Sequence, residues 1–393
     1  GPMLKLKRLK IHKLPRVKPG TELVFNDGIN VLLGINGSGK TTLLKLLASL
    51  ISGQLQPYSR ADCHVEWSFE NEGGTFSLSV EHFSSVQHGA QQSRPTRIKL
   101  TARSPVRNII ASHENNTITY DGKTERHQVS ETAVTLSLRS IFQQAWHPWS
   151  YPLYWTNRLD ESTHWLEGVT DLARIEAEDP YSDLVVGASA FENLVLRLIE
   201  GGTEQDIHQI TAEQLPVLQT VAAALGCKSA SFQFDLQHKQ RLDPEDFFRY
   251  TFGDFRFRFV KADGTRLTHH ELSFGQQRLL AFHFYAAMHP EVIVADELTN
   301  GMHHAMIGQC IDLIGERQAF LATQNPLLLD NLPGFTSAEQ VQSTFILCTT
   351  ERENDRERMV WRNMTAEEAG NFFRDYQVGI SHTNDILRSW GLW

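Results

Sequence analysis

Apolar and polar residues alternate from the start of the chain. Leu4-Lys5-Leu6-Lys7-Arg8-Leu9-Lys10-Ile11-His12 puts its hydrophobic side chains on one face, the pattern of a strand with its other face wet. A second strand is predicted over Glu22–Phe25, ahead of a turn at Asn26-Asp27-Gly28. A third, Ile29–Leu33, is continuously apolar, as a strand buried on both faces should be. It leads through a glycine loop into a predicted helix, Thr41–Leu50. From about 60 to 130, short alternating segments with turn signals such as Tyr120-Asp121-Gly122-Lys123 predict further strands. From about 131 to 250 helical periodicity is expected to dominate. There Thr211-x-x-Gln214 reads as a capping box, and Leu218, Val221, Ala222 and Leu225 share a face until Gly226. Pro216 allows that helix to begin on either side of it. Strand character returns at Phe255–Val260, closing on Asp263-Gly264. A helix (274–288), a strand (Val292–Ala295), a helix (303–316) and a strand (Ala319–Thr323) then alternate, which implies a parallel sheet. The expected layout is an α/β core, 1–130 and 251–393, split by a mainly helical insertion, 131–250.

The length, 393 residues, corresponds to about two domains. With 41% hydrophobic and 21% charged residues the chain is not globally disordered. A net charge of −9 argues against a generally basic, nucleic-acid-coating surface. The four cysteines, Cys63, Cys227, Cys310 and Cys348, form no CxxC pair, so neither a zinc ribbon nor a disulfide framework is indicated. No apolar run approaches a membrane span, and Gly1-Pro2-Met3 reads as a protease-cleavage scar rather than a signal peptide. A soluble, cytoplasmic protein without membrane contact is expected.

The glycine loop is Gly34-Ile35-Asn36-Gly37-Ser38-Gly39-Lys40-Thr41, a full GxxxxGK[ST] match between a strand and a helix. Its glycines let backbone N–H groups crowd around phosphate oxygens, and the helix offers its positive end to the same anion. Lys40 would reach the β and γ phosphates and Thr41 would ligate magnesium, so an ATP-type cofactor with Mg2+ is expected. Asn36, Gly37, Ser38, Gly39, Lys40, Thr41 and Thr42 are the candidate phosphate-binding residues.

Two later segments extend the site. Leu272-Ser273-Phe274-Gly275-Gln276-Gln277-Arg278 opens a helix, and Ser273-x-x-Gln276 alone is a capping box. Gly275 in the first helical turn, where glycine costs stability, suggests something more. Val292-Ile293-Val294-Ala295-Asp296-Glu297 is an apolar strand ending in two carboxylates. Asp296 is the candidate magnesium residue beside Thr41, and Glu297 the candidate that orients or activates the attacking water.

The order Walker A (34–41), LSxGQ-type signature (272–276) and Walker B with glutamate (292–297) resembles the ATP-binding-cassette ATPases, in the branch that includes RecF, Rad50, SMC and overcoming-lysogenization-defect (OLD) proteins. The Gln276-Gln277-Arg278 continuation is as in RecF-like proteins, and Asp296-Glu297-Leu298-Thr299-Asn300-Gly301-Met302-His303 is similar to the DE…LH pattern of OLD-like ATPases. The separation of Lys40 from Ser273 is generous for a transporter cassette and far too short for a coiled-coil arm. The motifs cover about 1–60 and 250–335. The resemblance implies an ABC-type core with a mainly parallel sheet, an antiparallel β subdomain and an inserted helical arm. It also implies a head-to-tail homodimer, with Ser273, Gly275 and Gln276 of one copy acting on the γ-phosphate held by the other. Catalysis would fall to Glu297, Lys40 and the residue at the end of the next strand. Such proteins usually carry a histidine there; this chain has Ala322-Thr323-Gln324-Asn325-Pro326. Gln324 can donate a hydrogen bond but cannot carry a proton's charge, so slow turnover is expected.

Gln143, Gln144 and Arg158, around the aromatic stretch Trp146–Trp155, are open as Q-loop or phosphate-sensor residues or as plain surface. Seven basic residues and no acid fall within residues 1–20, which fits a nucleic-acid edge or, more economically, a solvated edge strand. The segment 160–183 is strongly acidic and would repel DNA. His269-His270 and His303-His304 lack metal-binding spacing, so no metal beyond magnesium is indicated. No Toprim or HNH-like nuclease pattern follows the last core strand, and the aromatic ending, Ile386 to Trp393, is expected to be packed. Stand-alone ATPases of this type resemble the sensor ATPases of bacterial anti-phage systems of the PARIS and Septu types. That resemblance implies a separate effector partner such as a nuclease or toxin; the alternative is a RecF-like DNA clamp in repair.

Overall fold

The structure, a computed structural model, describes residues 5–35, 37–49, 62–71, 74–83, 97–103, 108–112, 117–120, 123–126, 148–150, 163–169, 207–242, 247–288, 292–379 and 381–393. Asn36, Gln143, Gln144, Arg158 and all of the acidic segment but Thr163–Val169 lie outside these residues. The chain divides into two units. One comprises Gly1–Pro148, Glu291–Thr299 and Ile314–Trp393; the other comprises Trp149–Pro290 and Asn300–Leu313.

The first unit holds an antiparallel sheet and a mainly parallel one. Strands β1 (Lys5–Lys13), β2 (Thr21–Val24), β4 (Cys63–Asn71), β5 (Gly74–Phe83), β6 (Arg97–Arg103), β7 (Asn108–Ser112), β8 (Thr117–Tyr120) and β9 (Lys123–Arg126) lie in the order β2-β1-β4-β5-β6-β7-β8-β9. The alternation of β1 buries Leu6, Leu9 and Ile11 and leaves its basic residues on the other face. It is not an edge strand, however: it pairs with β2 on one side and β4 on the other. Its cations meet local acids instead. Lys7 pairs with Asp27, Arg8 with Glu22 at 2.8 Å and Lys13 with Asp62 at 3.2 Å.

The second sheet contains β3 (Ile29–Leu33), β16 (Val292–Asp296), β17 (Gln318–Ala322), β18 (Phe345–Glu353) and β19 (Arg356–Asn363), in the order β16-β17-β3-β18-β19. The first four run parallel, and β19 returns antiparallel to β18. The unbroken apolar character of β3 follows from burial on both faces. Leu32 joins one core with the helix Lys40–Ser49, through Leu43, Leu44 and Leu47. Val31 and Leu33 join the other, with Phe345, Leu347, Phe372, Ile386 and Leu387. Leu392 and Trp393 pack against that second core, so the apolar ending is part of the fold.

In the second unit the described residues of 131–250 are mainly strands, where helix was expected. Apart from β10 (Pro148–Ser150), they comprise β11 (Thr163–Val169), β12 (Ile207–Ile210), β13 (Cys227–Leu242) and β14 (Phe247–Lys261), with only Val217–Ala224 helical. A short β15 (Arg266–Thr268) pairs with β14. The reason is a period of two rather than 3.6: Ala230, Phe232 and Phe234 alternate along β13 and are buried, as are Phe257 and Phe259 on β14. The box Thr211–Gln214 closes a turn, and the helix begins after Pro216. The helix Phe274–Met288 and all but the last residue of the helix His304–Ile314 also belong to this unit.

Candidate functional site

The phosphate loop follows β3 and opens the helix Lys40–Ser49. Gly37 and Gly39 have φ of +84° and +85°, a backbone conformation that side chains with a Cβ disfavour. Contact adds a second constraint. A Cβ on Gly34 would lie 2.4 Å from the Cys348 carbonyl oxygen, and one on Gly39 would lie 2.1 Å from Met359 Sδ. The loop is therefore pressed against β18 and β19. Trp361, 2% exposed, donates from Nε1 to the Ser38 carbonyl at 3.1 Å and holds the loop from behind. Ser38 itself is buried, its hydroxyl donating to Ile35 O at 2.7 Å.

Lys40 donates to Gly34 O at 2.6 Å, across the base of the loop. Burial pushes its ammonium below the ordinary lysine range, an effect opposed by Asp296 and Glu297 among its neighbours. A desolvated cation beside backbone N–H groups is suited to an anion. Thr41 Oγ1 donates to Asp296 Oδ2 at 2.6 Å, which joins the end of the loop to the end of β16. A hydroxyl and a carboxylate in contact are a hard-oxygen set of the kind Mg2+ takes.

Glu297, directly after β16, is a non-glycine residue at φ +54°, held by its N–H donating to Ala322 O at 2.8 Å. Residues kept in this region cost of order 1 kcal/mol and cluster at functional sites. Gln324 is exposed, and its neighbours are fixed. Thr323 Oγ1 lies 3.1 Å from Thr299 Oγ1 and accepts from Asn325 N at 3.0 Å. Asn325 donates to Thr299 O at 3.1 Å and caps the helix Pro326–Asp330 by accepting from Leu327 N.

A cavity of about 1360 Å³ brings Gly37, Gly39, Lys40, Thr41 and Thr42 together with Asp296, Glu297 and Gln324. Its remaining wall was not anticipated. It comes from Pro15, Arg16, Val17 and Pro19 and from the β18–β19 hairpin, including Arg356 and Arg358. Arg358 is paired with Glu351 and Glu353, whereas Arg16 is at φ +66° with its carbonyl accepting from Met359 N at 2.6 Å. The hairpin turns at Asn354-Asp355, φ +50° and +61°, and that dipeptide between two strand-like runs was the available signal.

Ser273, Gly275 and Gln276 belong to the second unit. There Ser273 and Gln276 form the reciprocal box, with Ser273 N donating to Gln276 Oε1 at 2.9 Å and Gln276 N to Ser273 Oγ at 3.2 Å. Gly275 is required by proximity, since a Cβ would lie 2.6 Å from Gly301 O.

A family described as "AAA domain, putative AbiEii toxin, Type IV TA system" matches residues 29–330. No curated protein sequence matches the chain. Among solved structures, the SmcHead bound to the C-winged helix domain of ScpA is 12% identical, with 92% of this chain and 99% of that one covered and a TM-score of 0.43. The SMC head domain from Thermotoga maritima is 12% identical over 91% and 98%, TM-score 0.41. The Smc head domain with an extended coiled coil bound to the C-terminal domain of ScpA derived from Pyrococcus furiosus is 11% identical over 95% and 100%, TM-score 0.42.

Proposed function

The chain belongs to this AAA-domain family, and from that premise we propose that it is an ATP-hydrolysing switch whose nucleotide joins two copies of the protein. The observation that carries the reading is the convergence of Lys40, Thr41, Asp296 and Glu297 on one cavity from opposite ends of the sequence. ATP would lie with its phosphates on the Gly37–Thr42 backbone and Lys40, and Mg2+ would be held by Thr41 and, directly or through water, Asp296. The ion would neutralise charge developing on the phosphates. Glu297, set by its strained backbone, would orient the attacking water, and Gln324 would contact the γ-phosphate. Ser273, Gly275 and Gln276 of a second copy would complete the site.

We further propose that the switch is the regulatory ATPase of a bacterial anti-phage system and controls a separate effector. Support comes from the family description, which names a toxin of a toxin–antitoxin system, and from the net charge of −9, which disfavours a duplex-coating surface. The alternative, a DNA clamp, drew on the basic N-terminal run, where Lys7, Arg8 and Lys13 are engaged by acids.

The test is complementation. Lys40→Ala and Ser273→Ala chains, each inactive alone, are mixed in equal amounts, and phosphate release is measured. A site shared between copies restores part of the wild-type rate, because a mixed dimer retains one intact site. A mixture as inactive as its components would contradict sharing.

A further inference from the structure

On the antiparallel sheet of the first unit, well apart in sequence from the phosphate loop, two histidines and a glutamate converge. One possible ligand atom from each of His12, His64 and Glu66 lies within 4.8 Å of the others. His12 Nε2 is 2.7 Å from Glu66 Oε2, and the two imidazoles stack with centroids 4.1 Å apart. We propose that His12, His64 and Glu66 form a binding site for a late first-row divalent metal ion of the zinc class.

Strand geometry builds the cluster. On β4, His64 and Glu66 are two residues apart and therefore share a face, with buried Val65 turned the other way. On β1 the register shifts between Ile11, opposite Val65, and Lys13, opposite His64. His12 is the extra residue of that bulge. Bulges re-aim a side chain, and here the result is a second imidazole against the first. From the third strand Glu81, directly opposite His64, comes within 3.4 Å of His64 Nε2, and Ser79 Oγ within 3.3 Å. A carboxylate held against an imidazole is the arrangement that orients metal-binding histidines.

The chemistry favours a borderline ion over magnesium or calcium, which prefer all-oxygen sets. Two imidazoles and one carboxylate leave a fourth position for water. Tetrahedral ligands at about 2.1 Å from a metal stand about 3.4 Å apart, so closure from the observed spacing needs roughly 1 Å of side-chain movement. The side chains are partly exposed, His12 33%, His64 30% and Glu66 43%, and can move that far. Binding replaces the His12–Glu66 hydrogen bond, and any proton held on the ligating nitrogens leaves to solvent.

The experiment titrates the full chain, stripped of metal, with Co2+ in excess Mg2+ and reads visible absorption and stoichiometry, followed by displacement with Zn2+. The expected result is one equivalent of four-coordinate cobalt that zinc displaces. His12→Ala and His64→Ala should abolish the signal, while Glu81→Gln should weaken affinity by about 10- to 100-fold. Circular dichroism and ATP binding of these variants should match the wild type, which separates loss of the site from loss of the fold. Asp296→Asn should retain the cobalt signal, so the result stands independently of the ATPase reading. No stoichiometric binding, or binding unchanged by His12→Ala, would overturn the site.

Discussion

Thr41 and Asp296 are 255 residues apart in the chain, and the Thr41 hydroxyl donates to the Asp296 carboxylate across 2.6 Å. The contact arises because β3 and β16 both flank β17 and run parallel, so the loop leaving one and the turn leaving the other emerge at the same end of the sheet. Such strand ends are where parallel α/β sheets bind ligands.

If that pair holds the magnesium, Asp296→Asn should uncouple nucleotide and metal. Phosphate release should fall about 100-fold or more, several kcal/mol of transition-state stabilisation being lost with the ion. ATP binding measured by calorimetry should become equal with Mg2+ and with a chelator, whereas the wild type should bind more tightly with Mg2+.

The loop's dependence on its backing is tested by two glycines. Gly39→Ala faces both φ +85° and Met359 Sδ at 2.1 Å and should abolish ATP binding. Gly226→Ala, at φ +70° in open space, should cost only about 1 kcal/mol of stability and leave ATP binding unchanged. Trp361→Phe, which removes the donor to Ser38 O, should destabilise by about 1 kcal/mol and weaken ATP severalfold. Thermal melts and nucleotide titrations of the three variants check the order.

Much of this site was legible because its parts are local. The Gly34–Thr41 loop and the apolar run into Asp296-Glu297 each carry their signal within a few residues. What was missed is long-range. The strands β13 and β14 shift register twice between Gln233 and His238, and alternation read through such shifts loses its period. The β1 cations looked like an exposed edge because their partners, Glu22, Asp27 and Asp62, lie on other segments. The β18–β19 hairpin lines the cavity only because β18 pairs with β3, a contact that no spacing announces.

Gln324 lies between two anchored neighbours, Thr323 and Asn325, and in the proposed function it contacts the γ-phosphate. Gln324→His should raise the steady-state rate, and Gln324→Ala should lower it while leaving ATP affinity within a fewfold of wild type. Single-turnover hydrolysis of the three proteins decides; equal rates would remove Gln324 from the mechanism.

His283, 4% exposed on the helix Phe274–Met288, has its pKa lowered to about 4 by burial. The unfolded chain, with an ordinary histidine, therefore binds more protons between about pH 6.5 and pH 4. Stability should be unaffected by this group above pH 6.5 and should fall as pH drops toward 4, by up to about 1.4 kcal/mol per pH unit. Denaturant unfolding of His283→Leu should show a shallower decline across that window.

The proposed switch requires that nucleotide join two copies of the chain. The light-scattering mass of Glu297→Gln, a substitution expected to block hydrolysis, is compared with and without ATP and Mg2+. A monomer mass is expected without nucleotide and a doubled mass with it, with no doubling in a Glu297→Gln, Ser273→Ala double variant. A mass that ATP leaves unchanged would contradict it.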